Sequence, residues 1–100
     1  MKTKYSKDFE KAVRKLSGKT LNSVKKTILE VKNAQSLNEI TDCKKLVGQD
    51  NVYRIRIGSL RAFFIFHIQI IDDCVFFKYL VPRGEAYDKK YQEKLREDDK

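Results

Sequence analysis

Three arginines flank a single turn in the stretch VYRIRIGSLRAFFIF, residues 52–66: Arg54 and Arg56 precede it and Arg61 follows it. Guanidinium groups bind phosphate bidentately and stay charged at any physiological pH. The stretch alternates with period two on either side of Gly58-Ser59, and a two-residue loop that opens on Gly suits a type II′ hairpin turn. With that loop, Ile57 faces Leu60, Arg56 faces Arg61, Ile55 faces Ala62 and Arg54 faces Phe63. One side of the ribbon then carries all three arginines. Like charges placed directly opposite destabilise a strand pair, so the Arg56/Arg61 pairing makes most sense beneath something anionic. A positive face that is simply solvated is the alternative. The reverse side, Tyr53, Ile55, Ile57, Leu60, Ala62, Phe64 and Phe66, is almost wholly apolar and must be covered.

Other chemistries find little support. Cys43 and Cys74 are isolated and stand outside any CxxC spacing, which reads as reduced, semi-buried thiols in a cytosolic protein. One histidine, His67, is too few for a zinc site, so neither a metal nor a cofactor is expected. At about 3.3 Å per residue His67 lies roughly 20 Å along its strand from Arg61, too far to share a phosphate. Lys and Arg outnumber Asp and Glu by 22 to 14, a net charge of +8 on 100 residues, which favours an anionic partner. The charged N-terminus has no apolar core of the kind a signal peptide needs. The longest apolar stretch is interrupted by His67 and Gln69 and falls short of a membrane span. A cytoplasmic protein with no membrane association is expected.

The elements that must position the arginines follow from the rest of the chain, read as a single domain over residues 1–100. Tyr5 and the polar residues before it could add an edge strand. Ser6 has the character of an N-cap, with Phe9, Ala12, Val13 and Leu16 at helical spacing after it and Gly18 closing the helix. A second helix runs from about Thr20 to Lys32 on an apolar stripe of Leu21, Val24, Ile28, Leu29 and Val31. The two helices should form an antiparallel αα-hairpin that covers the apolar side of the ribbon. Ser36 and Glu39 have capping-box spacing. Cys43 to Val47 suggests a short edge strand, which sets Lys44 and Lys45 beside the hairpin. The second hairpin strand should reach Ile70. A last strand from Cys74 to Val81 should put Val75, Phe77, Tyr79 and Val81 on one side and Lys78 on the other. Pro82-Arg83-Gly84 breaks that strand. Beyond it, Tyr87, Tyr91 and Leu95 fall at i, i+4, i+8, while residues 88–100 balance acidic against basic side chains. This tail is expected to be a marginal helix or disordered without a partner. The fold class is α+β: an N-terminal αα-hairpin on a small, twisted, mainly antiparallel sheet of three to five strands, with a C-terminal helical tail.

This order, with KDFEKAVRKL in the first helix, KKLVGQDNVYRIRIGSLR through the hairpin and VPRGEAYDKKY after the last strand, resembles the RelE/ParE superfamily of bacterial toxins from type II toxin–antitoxin systems. The composite of L-x-G, YRIRIG-x-x-R and a later R-x-E-x-Y carries the resemblance over nearly the whole chain. Resemblance to the RelE branch implies a metal-independent mRNA interferase, a ribosome-dependent endoribonuclease that inhibits translation and is neutralised by a cognate antitoxin protein. It also implies that Arg54, Arg56, Arg61, Arg83 and Tyr87 form the catalytic set. Beside that set, Lys44, Lys45 and Lys78 are expected as RNA-binding cations. In such a reaction the 2′-hydroxyl attacks the neighbouring phosphate, and clustered guanidinium groups stabilise the charge that builds there. Tyr87 would stack on a base or meet the reacting 2′-oxygen.

The chain departs from many relatives at Pro82, where they carry His before the terminal arginine. No conventional general base remains, and Glu85 is expected to orient Arg83 or Tyr87. Slow intrinsic turnover and reliance on the ribosome to position the mRNA would follow. The same superfamily admits a ParE-type inhibitor of DNA gyrase that acts by protein–protein binding without nuclease chemistry. It also admits a silenced toxin fold that only binds an antitoxin or RNA. For either toxin, an antitoxin segment that folds on binding is expected at the groove beside the helices or at the Tyr87–Leu95 tail.

Overall fold

The computed structural model describes residues 1–99; Lys100, the last residue of the tail, lies outside the described residues. Five strands form one mixed sheet in the order β1-β5-β4-β3-β2. They are β1 (Lys2–Tyr5), β2 (Cys43–Lys45), β3 (Val52–Ile57), β4 (Leu60–His67) and β5 (Cys74–Pro82). β1 runs parallel to β5, and the other neighbouring pairs are antiparallel. Helices α1 (Lys7–Arg14) and α2 (Gly18–Asn33) follow β1, and α3 (Lys89–Asp98) ends the described chain.

The hairpin forms in the expected register, with Arg56 across from Arg61 and Ile57 across from Leu60. Gly58 turns the corner at φ +59° while Ser59 stays outside the positive-φ region, the pattern a type II′ turn requires. All seven apolar residues of the reverse side enter one core with Phe9, Val24 and Val31 from the helices. Ser6 caps α1 by accepting from the Phe9 N–H at 3.0 Å, and its hydroxyl also donates to the Lys78 carbonyl. One side chain thereby fixes the start of α1 on β5. Phe9 stacks on Phe77 at 5.0 Å between ring centroids. α1 lies along β5, α2 touches β1 and β3, and each helix meets the sheet more than it meets the other.

The arginine side of the sheet holds a second apolar cluster: Val52, Phe63, Ile65, Tyr79, Val81 and Leu46, closed by Ala86 and by Leu95 of α3. Helices therefore cover both faces of the sheet. This cluster departs from simple alternation along β5. Phe63 pairs with Tyr79 but Phe64 pairs with Phe77, which leaves Lys78 as the extra residue of a β-bulge. A bulge shifts the side-chain alternation by one. Val75, Phe77 and Leu80 therefore face α1 and α2 while Tyr79 and Val81 face α3, which overturns the single apolar side expected for β5.

Several boundaries also differ from expectation. β4 ends at His67, not Ile70, and Ile68, Ile70 and Ile71 are exposed in the loop beyond it. α2 begins at Gly18, whose φ of +59° suits glycine at the corner, two residues before Thr20. The capping box does not form: Ser36 makes no side-chain cap, and Glu39 accepts instead from the Gln35 N–H at 2.9 Å. The short Leu37–Glu39 turn is 3-10, too tight for the reciprocal bonds of an α-helical box. Tyr87 precedes α3, so the stripe that continues through the helix is Tyr91 and Leu95.

Candidate active site

Arg54, Arg56 and Arg61 project from β3 and β4 beside the Gly58-Ser59 turn. The segment after β5 docks onto that turn: the Arg83 N–H donates to the Ser59 carbonyl at 2.8 Å. A 3-10 turn over Arg83–Glu85 follows, and it sets Ala86 in the second core and leaves Tyr87 at its edge. Tyr87 is 59% exposed, with its ring edge-on to Phe63 at 6.1 Å and 86°. The sequence pieces on which the site depends, separated by more than twenty residues, thus meet through the end of the β4–β5 ladder, where Leu60 pairs with Pro82, and through this backbone hydrogen bond and aromatic contact.

Arg61 is the fixed member of the group. It is buried, and its Nη1 donates to the carbonyls of Gly58 and Leu60, both at 2.8 Å. Arg54 is buried as well, whereas Arg56 and Arg83 are exposed. Burial lowers the pKa of the Arg61 guanidinium, and the charges of Arg56, Arg83 and Arg54 lower it further, while Tyr87 acts in the opposite direction. Arg56, Arg83, Arg54 and Tyr87 are therefore each close enough to act on Arg61. The ion pairs among the described residues are Arg14–Glu10, Lys78–Asp98 and Lys89–Glu93, none of them at this cluster. A set of converging guanidinium groups with no ion-pair partner is poised for an external anion.

A groove of about 580 Å³ runs beside the cluster, lined by Asp42, Lys44, Lys45, Arg54, Arg56, Tyr87 and Gln92 among others. Lys44 and Lys45 extend the cationic surface along β2. Lys78 does not line this groove. At the bulge its ammonium pairs with Asp98 at 3.3 Å and lies over the Phe76 ring at 4.6 Å, which anchors the far end of α3. Glu85 makes no ion pair with Arg83, and its backbone carbonyl instead accepts from the Asp88 N–H at 3.1 Å. His67 is exposed at the opposite end of β4, beside Phe76.

Two lining residues escaped the sequence reading. Asp42 sits in a turn at φ +54°, and its carbonyl accepts from the Arg56 N–H at 3.2 Å. Gln92 lies three residues before the buried Leu95, and a polar residue at that spacing from a core position was the available signal. Cys43, also on the groove, has its thiol pushed up to about 11 by burial, with Arg54 acting the other way. It stays largely protonated at neutral pH, which makes it a poor nucleophile. Among the described residues no cluster of His, Cys, Asp and Glu could hold a metal ion. No helix among them is long and apolar enough to cross a membrane.

No family model matches the chain. It is 34% identical over 89 residues to toxin RelE3 of Methanocaldococcus jannaschii, an alignment that spans 88% of this chain and 97% of that protein. The fold is similar to a solved RelB–RelE antitoxin–toxin complex from Methanococcus jannaschii, with a TM-score of 0.69, 29% identity, and 86% of this chain and 96% of that one covered. An archaeal RelE–RelB complex from Pyrococcus horikoshii shares the fold at a TM-score of 0.66 and 24% identity, covering 85% of this chain and 97% of that one.

Proposed function

The chain belongs to the RelE family of toxins, and on that premise we propose that it is a ribosome-dependent endoribonuclease that cleaves mRNA and arrests translation. The observation that carries this reading is the convergence of Arg54, Arg56, Arg61 and Arg83 with no carboxylate partner beside the exposed ring of Tyr87. Attack by a 2′-hydroxyl on the adjacent phosphate builds charge on its non-bridging oxygens and on the departing 5′-oxygen. Arg61, held by two carbonyls, is preorganised to meet that charge without reorganising during the reaction. Arg54 and Arg56 approach from β3, and Arg83 from the segment docked on the turn. Tyr87 offers a stacking face for a base, and Lys44 and Lys45 hold the phosphates that lead into the groove.

The cluster contains no imidazole, and its guanidinium groups are poor proton acceptors even with the lowered pKa of Arg61. Positioning and charge stabilisation therefore supply the acceleration, which fits a nuclease that works only where the ribosome presents its substrate. We assign no resident metal to the site.

The solved relatives are complexes of a RelE with a RelB antitoxin, and a cognate antitoxin is the partner proposed for this chain. Two surfaces suit it. One is the apolar groove of about 270 Å³ formed by Tyr5, Phe9, Val13 and Ile28 with Glu10 and Arg14. The other is α3, whose displacement would withdraw the support of Tyr87 without covering every arginine. Expression of the wild-type chain beside folded Arg61→Ala and Arg83→Ala variants tests the reading. Growth arrest by the wild type alone supports it, and arrest by the variants refutes it.

A further inference from the structure

We infer that Asp99 is a positioning residue for RNA: it pins the β2–β3 turn to the last turn of α3 and so fixes how the two walls of the groove stand to each other. The inference rests on the nuclease reading above. One wall carries Lys44, Lys45 and Val47, from β2 and the turn after it, and the other carries Tyr87 and Gln92. A strand that sets a base on Tyr87 and phosphates on Lys44 and Lys45 bridges both walls. Its binding therefore depends on their being held in place beforehand.

Asp99 lies where charge alone disfavours it. α3 has no acidic residue in its first turn, yet Asp98 and Asp99 stand at its C-terminal end, the reverse of what the helix dipole favours. Both carboxylates are engaged across the fold. Asp98 pairs with Lys78 at 3.3 Å. Asp99 accepts from the Asp50 N–H through Oδ2 and from the Asn51 N–H through Oδ1, each at 2.8 Å. One carboxylate gripping two successive N–H groups makes a directional, charge-assisted link. The helix side of the link is firm: the Asp99 N–H donates to the Leu95 carbonyl at 2.9 Å, and the buried Leu95 clusters with Leu46 and Val52, which bracket the turn. Toward the start of α3, Gln92 Nε2 donates to the Ala86 carbonyl at 3.0 Å.

The turn depends on that link. β2 is a three-residue edge strand whose one neighbour is β3. Val47 is fully exposed and Gly48 sits at φ +79°. The other bonds of the turn run within it, from the Gln49 N–H to the Leu46 carbonyl, or to β4, from the Phe66 N–H to the Asn51 carbonyl. Among the described residues, only Asp99 joins it to α3 by hydrogen bonds. Gln49 is buried with its Oε1 unpaired, a cost that opening of the turn to water relieves. Without Asp99 the turn opens more readily, and Lys44 and Lys45 lose their fixed place relative to Tyr87. Arg61 is held separately by the Gly58 and Leu60 carbonyls, so the chemical step is spared.

The test is steady-state cleavage on programmed ribosomes by the wild type, Asp99→Ala and Asp99→Asn, at a temperature where hydrogen exchange shows the sheet native. In Asp99→Ala, KM should rise about tenfold while kcat stays within about twofold. Asp99→Asn keeps the shape and one acceptor oxygen. It should shift KM the same way by less, and it answers the question if the alanine variant does not fold. Exchange at the Asp50 and Asn51 amides should be slow in the wild type and fast in Asp99→Ala. Because Asp99 acts through the lysine wall, the double replacement Lys44→Ala and Lys45→Ala should raise KM much less in the Asp99→Ala background than in the wild type. An unchanged KM in both variants, a loss confined to kcat, or independent additive effects of Asp99 and the lysines overturns the inference and leaves the nuclease reading standing. Absence of any cutting by the wild type removes both.

Discussion

Arg56 lies directly across the β3–β4 ladder from Arg61, and neither guanidinium has a carboxylate partner among the described residues. A pairing that opposes two like charges weakens the hairpin on which it sits. The proposed function places a need for positive charge at this pairing. Replacement of the exposed member, Arg56→Gln, should stabilise the free protein by about 0.5 kcal/mol and lower its toxicity. Urea unfolding at low salt checks the first effect, which should shrink as salt screens the repulsion.

The fixed guanidinium should matter most for rate. Arg61→Lys keeps a charge but loses the planar fork that spans the Gly58 and Leu60 carbonyls. Cleavage should fall by about a hundredfold or more, as for loss of one preorganised donor. Single-turnover kinetics on programmed ribosomes would show that loss with ribosome binding little changed.

Leu95 is fully buried beneath the sheet and is the main apolar anchor of α3. Leu95→Ala should cost about 2–5 kcal/mol, much of it as local release of the helix. Hydrogen exchange should show faster exchange across residues 89–98 while β4 and β5 keep most of their protection. Equal acceleration throughout the sheet would show that α3 does not open separately.

Cys43 should react slowly. With its thiol near 11 against an ordinary value of 9.0, the thiolate fraction at pH 8 is about one in a thousand where an unfolded chain has about one in ten. Alkylation at pH 8 should therefore be about a hundredfold slower in the folded protein than in urea. The sign for stability follows from the same shift. The folded state holds its proton to higher pH than the unfolded chain, so this thiol lowers stability as pH rises from about 9 to about 11. Cys43→Ala should remove that part of the alkaline loss.

The hairpin register was readable in the sequence because Gly58-Ser59 admits few turns and the period-two pattern fixes which residues face each other. The cover for Tyr53, Ile55 and Phe64 was readable for the same reason: an apolar side demands an apolar stripe. The second core was not. It depends on the bulge at Lys78, where one extra residue reverses the alternation, and nothing in CVFFKYLVP marks that position. The role of α3 was hidden as well, because its charges balance and only Tyr91 and Leu95 signal a buried face. The proposed catalytic set was visible as residue types on matching motifs, but the Arg83 N–H on the Ser59 carbonyl, which docks its second half on the turn, is a backbone contact that no side-chain pattern reports. Gln92 was missed for a related reason: its significance lies in one hydrogen bond to Ala86.

The most direct test is primer extension on a reporter mRNA in a reconstituted translation system, with the wild-type protein beside Arg61→Ala. The arginine site predicts discrete, codon-phased cuts that need ribosomes and disappear in the variant. Intact mRNA with the wild type, or the same cuts with the variant, would contradict it.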